Sequence, residues 1–478
     1  MKLKWFICIL FFLSACGVEN AARPEPDETT IVETETITPN DIPTEEAVQT
    51  EDITPSEQPT LIFYNGQVLT IDSNMRIEEA IAILDDLIIA VGTNDEILAL
   101  ADPATRLVDL EGHTLMPGFV DPHTHILNDA DQYLGLNLEE AQDLALENGI
   151  TTLADMFVPE WFLQDLQNLE SEGKLRVRTS AYLIGTDNCG GPQGDWYKAY
   201  PPTDEFGEML RIGGVKLFTD GGTCGPPAVS KEVYRDTGLG TLFASNAELK
   251  ELVRMADDAG YQVAIHAIGD QAVGQAIDAL DAVIDSPDNP ARHRIEHLSY
   301  LRDDQLSQFS ETGIHPVIFG NSPTCFITEY ENDLTDQFPL FFRRIRQLVD
   351  ANPGLIIAAK TDFPWRGKHA SPLHELYSLT TFKEVSEGGT VCDPPDWMAD
   401  RRISIEEALP MVTINAAYLL FREDEVGSIE PGKLADLIVL SASPLDVELD
   451  ELKDITVWMT MIGGETEYCA GGYEAYCP

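Results

Sequence analysis

Eight short apolar runs dominate the middle of the chain, and segments of helical periodicity separate most of them. The runs are GFVDPH, ITTLADM, RVRTSAYLI, GGVKLFTD, YQVAIHA, HRIEHL, IHPVIF and LIIAAKTD. Between them, stretches such as NAELKELVRMADDAG and AVGQAIDALDAVID space their apolar residues as amphipathic helices do. A strand followed by a helix, eight times over, predicts an α/β fold of the (β/α)8 barrel type. A doubly wound sheet is the alternative, but no glycine-rich nucleotide loop follows the first run. At 478 residues and 44% hydrophobic content, the chain has room for one such barrel and a smaller companion domain.

Both flanks of the barrel region read as β structure. LIFYNGQVLTID is a strand, an Asn65-Gly66 turn and a strand. EAIAILDDLIIAVG repeats the pattern around Asp85-Asp86, and TRLVDLEGHTLMPG adds a further pair. At the far end, GSIEPGKLADLIVLS and DITVWMTMIGGETEY are again short strands. The expectation is one small β domain built from residues 60–116 and 425–478, interrupted by a barrel over 117–424.

The N-terminus reads as a targeting segment. Lys2 and Lys4 precede the nine apolar residues WFICILFFL, too few to span a bilayer. Leu13-Ser14-Ala15-Cys16 resembles a bacterial lipobox, with Cys16 as the lipidated residue; an ordinary secretory signal is the competing reading. Residues 17–59 hold twelve acidic side chains and one basic one, Arg23. Such a segment buries too little apolar area to offset its ordering entropy and is expected to be a disordered tether. The expected setting is therefore the cell envelope of a bacterium, with the membrane reached only through the lipid. The net charge of −52 argues against nucleic-acid partners, which need basic stripes. Six cysteines remain beyond Cys8 and Cys16, and in an oxidising compartment Cys469 and Cys477 are the expected pair. A homo-oligomer is compatible with all of this.

Barrel enzymes carry their chemistry at the C-terminal ends of the strands. Here LMPGFVDPHTHI ends in His123 and His125, two residues apart and so on one strand face. Lys216 lies on the fourth run, and His266, His297 and Asp362 end the fifth, sixth and eighth. Singly, each of these is more often a structural residue; a lone buried histidine is usually a hydrogen-bonded core residue. Together, each at the expected end of its own strand, they point to a site for one or two divalent ions. Imidazole and carboxylate donors suit zinc. His113, His293, His315, His369 and His374 are read as structural.

With those residues in view, the chain resembles the amidohydrolase superfamily, in the branch of N-substituted formamide deformylase-like proteins. The similarity rests on NGQVLTID, LMPGFVDPHTHI, GVKLFTDGG, HAIGDQAV, HRIEHL, TINAAYLLF and GSIEPGKLADLIVL, in that order from residue 61 to 467. The resemblance implies a distorted barrel with a β-sandwich from both chain ends and a metal-dependent hydrolase of small-molecule C–N bonds. It implies His123, His125, Lys216, His266, His297 and Asp362 as metal-site residues. Lys216 matches a lysine that relatives carboxylate, and Asp362 would carry the proton from water to the leaving amine. Deamination, cyclic-amide opening and a catalytically silent binding lipoprotein are the competing functions.

Three departures from the branch stand out. The stretch between the first histidine pair and GITTLADM is short, so the usual lid is reduced. KTDFP stands where relatives have Gly-Ser-Asp-Trp-Pro, so Lys360 replaces a glycine and shares a strand face with Asp362. GGTCGPPAVS and DNCGGPQGDW replace other loops, suggesting a Cys189–Cys224 bridge. Asp270, Arg294, Lys360 and Trp365 are further candidates for contacting substrate or supporting the ligands.

Overall fold

The computed structural model describes residues 58–231, 233, 239–320, 324–325, 338–364, 371–386 and 388–478. The expected signal segment with Cys16, nearly all of the acidic tether, Trp365 and His369 lie outside the described residues. Among the described residues, no helix is long and apolar enough to cross a membrane.

One eight-stranded sheet runs in chain order: β1 (Phe119–Thr124), β2 (Ile150–Val158), β3 (Arg178–Ile184), β4 (Leu210–Phe218), β5 (Gln262–Ala267), β6 (Arg294–His297), β7 (His315–Phe319) and β8 (Ala358–Lys360). Every neighbouring pair is parallel, and each strand falls on one of the eight apolar runs. The chain after β8 turns back onto β1. There the Asp362 N–H donates to His123 O at 3.1 Å and the His125 N–H to Phe363 O at 2.7 Å, closing the sheet into a barrel. Register shifts interrupt β1/β2, β2/β3 and β3/β4, so the barrel is distorted on that side.

Helices cover the outside. Helix Asn246–Asp257, between β4 and β5, starts at a capping box in which Ser245 accepts from Glu248 N and Glu248 answers the Ser245 N–H. Helix Asp270–Leu280 buries Ala272, Val273, Ala276 and Leu280 against the sheet. A separate cluster holds Val120, Ala154, Tyr182, Ala264, Val317 and Ala358, which pack with Ala416, Ala417 and Leu420 from helix Ile414–Leu419 and its end. Small side chains on the strands leave room for Tyr182, whose hydroxyl bonds Gln262. Arg294 lies over the Tyr182 ring, 5.2 Å from its centroid.

The flanking strands form two further sheets. One runs Leu87–Gly92, Ala80–Leu84, Leu61–Tyr64, Arg106–Asp109. The other runs Glu465–Cys469, Val457–Ile462, Leu437–Leu440, Thr114–Pro117, Gln67–Leu69, Ile77–Glu78, and so interleaves both chain ends. Phe63, Ile81 and Val108 from the first sheet and Leu115, Val439 and Met461 from the second share one core, as expected of a sandwich. Thr114–Pro117 leads straight into β1 through Gly118, where a Cβ would stand 2.2 Å from the Thr151 side chain. Only glycine permits that approach.

The Asn65-Gly66 turn does not close a hairpin, because Leu61–Tyr64 and Gln67–Leu69 belong to different sheets. Asn65 adopts φ 56°, and a Cβ at Gly66 would meet Leu110 Cδ1 at 2.3 Å. The turn is a tight corner between layers, with the Gly66 N–H given to Glu79 O and the Gln67 N–H to His113 O. Asp85-Asp86 does close a hairpin, between Ala80–Leu84 and Leu87–Gly92.

Disulfides join Cys189 to Cys224, Cys325 to Cys392 and Cys469 to Cys477. The first ties the loop after β3 to the loop after β4.

Barrel and terminal sheet are bolted together by a buried pair. Arg178, at the start of β3, donates from Nε to Asp436 Oδ2 at 2.7 Å and from Nη2 to Asp436 Oδ1 at 3.1 Å. Both side chains are almost fully buried, and Asp436 also accepts the Gly463 N–H. Removing one partner leaves the other charge buried and unmatched. Arg178→Ala is expected to destabilise the fold by about 3–5 kcal/mol, read from urea denaturation; a change within about 0.5 kcal/mol, typical of a surface position, would contradict this bridging role.

Candidate functional site

The C-terminal ends of the strands surround a pocket of about 310 Å³, lined by His123, His125, Phe218, His266, Ile268, His297, Phe319, Thr361 and Asp362 among others. This volume suits a small molecule. Four of the expected residues, His123, His125, His266 and His297, bring their rings together. Ring centroids are 5.3 Å apart for His123 and His125, 5.0 Å for His123 and His297, and 4.3 Å for His266 and His297.

Strand alternation places His123 and His125 side by side, as the sequence implied. His297 and Asp362 arrive differently. Both adopt positive φ, 78° and 55° respectively, a region that non-glycine residues seldom occupy. On β6, Glu296 and His297 are consecutive and should face opposite ways, yet both reach His123. The left-handed turn at His297 swings its ring back over the barrel mouth. Strain of this kind collects at functional sites.

Glu296 is the residue that sequence reasoning missed. Its Oε2 lies 2.7 Å from His123 Nδ1, and its Oε1 accepts from Arg294 Nε at 2.6 Å. Burial opposes ionisation of Glu296, but the Arg294 and His123 partners outweigh it and hold the carboxyl well below the usual range. An ionised carboxylate only accepts, so His123 Nδ1 carries the proton and Nε2 presents its lone pair. Burial and the nearby Lys360 and Lys216 charges push the His123 pKa down to about 3, so the ring is neutral. The available signal was a Glu flanked by Arg294 and His297 within a wholly buried strand.

His123 Nε2 and His125 Nε2 lie 3.3 and 3.4 Å from Asp362 Oδ1. One ligand atom from each of His123, His125 and Asp362 falls within 4.8 Å of the others, the only such set found among the described residues. His123 Nε2, His125 Nδ1, His297 Nε2 and Lys216 Nζ are buried and make no hydrogen bond among the described residues. Buried polar atoms are nearly always satisfied. Imidazole nitrogens and an ionised carboxylate converging on one point fit a divalent cation.

The remaining candidates separate. Lys216 is fully buried, 5.0 Å from the Phe218 centroid, and burial lowers its pKa to about 7 despite Glu296. His266 sets Nε2 3.0 Å from Gly221 O and 3.4 Å from Asp220 Oδ1. Lys360 is within the site, 2.8 Å from His297 Nδ1 and 3.2 Å from Asp362 Oδ2. Arg294 does not line the pocket; it lies beneath Glu296, with Nη2 2.5 Å from Pro122 O. Asp270 is outside the pocket lining, accepting the Ser230 N–H at 2.8 Å and facing Arg302 at 3.5 Å. As the first residue of helix Asp270–Leu280 it is held by the local loop. His113, His293, His315 and His374 make structural contacts away from the pocket, to Trp458, Asp257, Ile356 O and Ser371 respectively.

The profile of the amidohydrolase family matches residues 106–158 and 147–468, and the chain belongs to that family. The chain is 28% identical over 356 residues to the Arabidopsis thaliana protein LONG AFTER FAR-RED 3, covering 69% of this chain and 57% of that one. It is 29% identical over 265 residues to the N-substituted formamide deformylase of Arthrobacter pascens, covering 54% of this chain and 46% of the deformylase. The chain thus spans about half the length of these curated relatives. A crystal structure of an uncharacterized metal-dependent hydrolase from Pyrococcus horikoshii shares the fold, with TM-score 0.68, 21% identity, and coverage of 82% of this chain and 99% of that one.

Glu296→Gln removes the fixed acceptor for His123 Nδ1. Zinc affinity, measured by competition with a chromophoric chelator, is expected to fall about 10–100-fold while circular dichroism still reports a folded chain. Unchanged affinity would show that Glu296 does not orient His123 for a cation.

Proposed function

We propose that this chain hydrolyses an amide-type C–N bond in a small molecule, with a divalent cation held by His123, His125 and Asp362. The observation that carries this is the convergence of those three ligand atoms at the wall of a pocket of about 310 Å³. Lys216 and His266 stand around the same space as further donors, Lys216 after carboxylation, with His297 beside them. Zinc is the first choice for such donors. When bound, such a cation acidifies water and polarises a carbonyl.

The chain's own groups supply the rest. Burial opposes ionisation of Asp362, but the Lys360 ammonium outweighs it and holds the carboxyl well below the usual range. Asp362 can therefore accept a proton from water at one oxygen and return it to the leaving nitrogen. In the balance, the water oxygen bonds the carbonyl carbon, the C–N bond breaks, and the nitrogen departs as the protonated amine. Phe218, Ile268 and Phe319 give the pocket apolar walls beside the ligand atoms. The Cys189–Cys224 bridge lies one residue from Thr223, which also lines it, and so steadies the rim. The proposal places the protein outside the cytoplasm, anchored by lipid at Cys16, where an oxidised rim would persist.

Asp362→Ala is expected to release no detectable amine from any member of a panel of N-acyl amines and cyclic amides that the parent cleaves, while remaining folded by circular dichroism. Hydrolysis at the parental rate in the Asp362 variant would overturn the reading.

A further inference from the structure

Asp362 offers two oxygens, and they face different partners. Oδ1 is turned to His123 and His125, at 3.3 and 3.4 Å. Oδ2 is turned to Lys360 Nζ at 3.2 Å and to His297 Nδ1 at 3.7 Å. Lys360 Nζ lies between them, 2.8 Å from His297 Nδ1. Its side chain is fully buried and stands over the Phe319 ring, 4.1 Å from the centroid. A carboxylate that bridges two cations through both oxygens gives one oxygen to each. Here the second oxygen is already committed to an ammonium.

The same ammonium bears on His297. Lysine nitrogen donates and does not accept, so His297 Nδ1 must accept and Nε2 must carry the ring proton. An imidazole nitrogen bearing a proton has no lone pair for a metal. His266 differs: its Nε2–H donates to Gly221 O, which leaves Nδ1 with its lone pair. Glu296 therefore sets up His123 as a ligand, and Lys360 sets up His297 as a hydrogen-bond donor.

We propose that Lys360 is a built-in cation that fills the place of a second metal, restricting this centre to one divalent ion and leaving His297 Nε2–H as a donor to the substrate. The inference rests on the metal-dependent reading of the site and adds its stoichiometry. Lys360 acts through Asp362 and His297 and is in this sense a positioning residue. Its predicted signature is a gain of metal on substitution, which loss of packing would not produce.

The test is metal counting on the full chain. Wild type, Lys360→Gly and Lys360→Arg are stripped with chelator, incubated with excess Zn2+ alone, desalted, and assayed for zinc per chain by mass spectrometry. The expected result is one equivalent in wild type, two in Lys360→Gly and one in Lys360→Arg, which keeps the positive charge. If Lys360→Gly fails to fold by circular dichroism, Lys360→Met, which keeps the side-chain bulk without the charge, replaces it with the same expected count of two. Two equivalents in wild type, or one in both wild type and the uncharged variant, would overturn the role of Lys360 and leave the hydrolase reading intact. No zinc in wild type would instead remove the metal-dependent reading, and this inference with it.

Discussion

The site depends on one constraint: ionisable groups taken out of water must be paired. A chain of contacts runs up the barrel axis from the Tyr182 ring through Arg294 and Glu296 to His123. Each link removes the penalty of the one before. Arg294 would be intolerable in the barrel without Glu296, and Glu296 without Arg294 would protonate rather than stay charged. The product of this chain is a histidine with one fixed tautomer and a lone pair aimed into the pocket. A second pairing, of Lys360 with Asp362, performs the same service on the other side. The chemistry thus stands on two buried ion pairs rather than on the histidines alone.

Backbone geometry delivers these groups. A parallel barrel brings eight strand ends to one rim, but strand alternation alone would send His297 away from Glu296. The positive φ values at His297 and Asp362 bend the chain inward where β6 and β8 end. At Asp362 the same bend completes the barrel, because its N–H and that of His125 make the bonds linking the last strand to the first. Closure of the fold and assembly of the candidate site are one event in this molecule. The terminal sheets add leverage from below, where Asp436 holds Arg178 at the foot of β3.

Much of this was legible in the sequence. All eight strands were visible as apolar runs, since a buried parallel strand is apolar on both faces. His123 and His125 were readable because a two-residue spacing on a strand has one geometric meaning. Asp362 and Lys360 do lie together, but Asp362 sits just past the end of β8 and is turned in by its positive φ. Glu296 was not readable, because a single acid in a buried strand declares no partner until β1 is brought beside β6. Asp270 and Arg294 were placed near ligands by proximity in sequence. In space Asp270 belongs to a helix start, whereas Arg294 lies below the pocket and supports His123 through Glu296. The Asn65-Gly66 pair signalled a turn correctly, but not that its two strands join different sheets. A turn dipeptide fixes local φ, whereas the sheet each strand joins depends on packing against Leu110 and the distant strand Leu437–Leu440.

The central claim is that residues from β1 and from the end of β8 share one cation. The most direct measurement is anomalous diffraction from crystals of the full chain grown with zinc, collected on both sides of the zinc edge. A peak is predicted about 2.0–2.2 Å from nitrogen atoms of His123 and His125 and an oxygen of Asp362. A pocket without an anomalous peak, or zinc held elsewhere by surface carboxylates, would contradict the account.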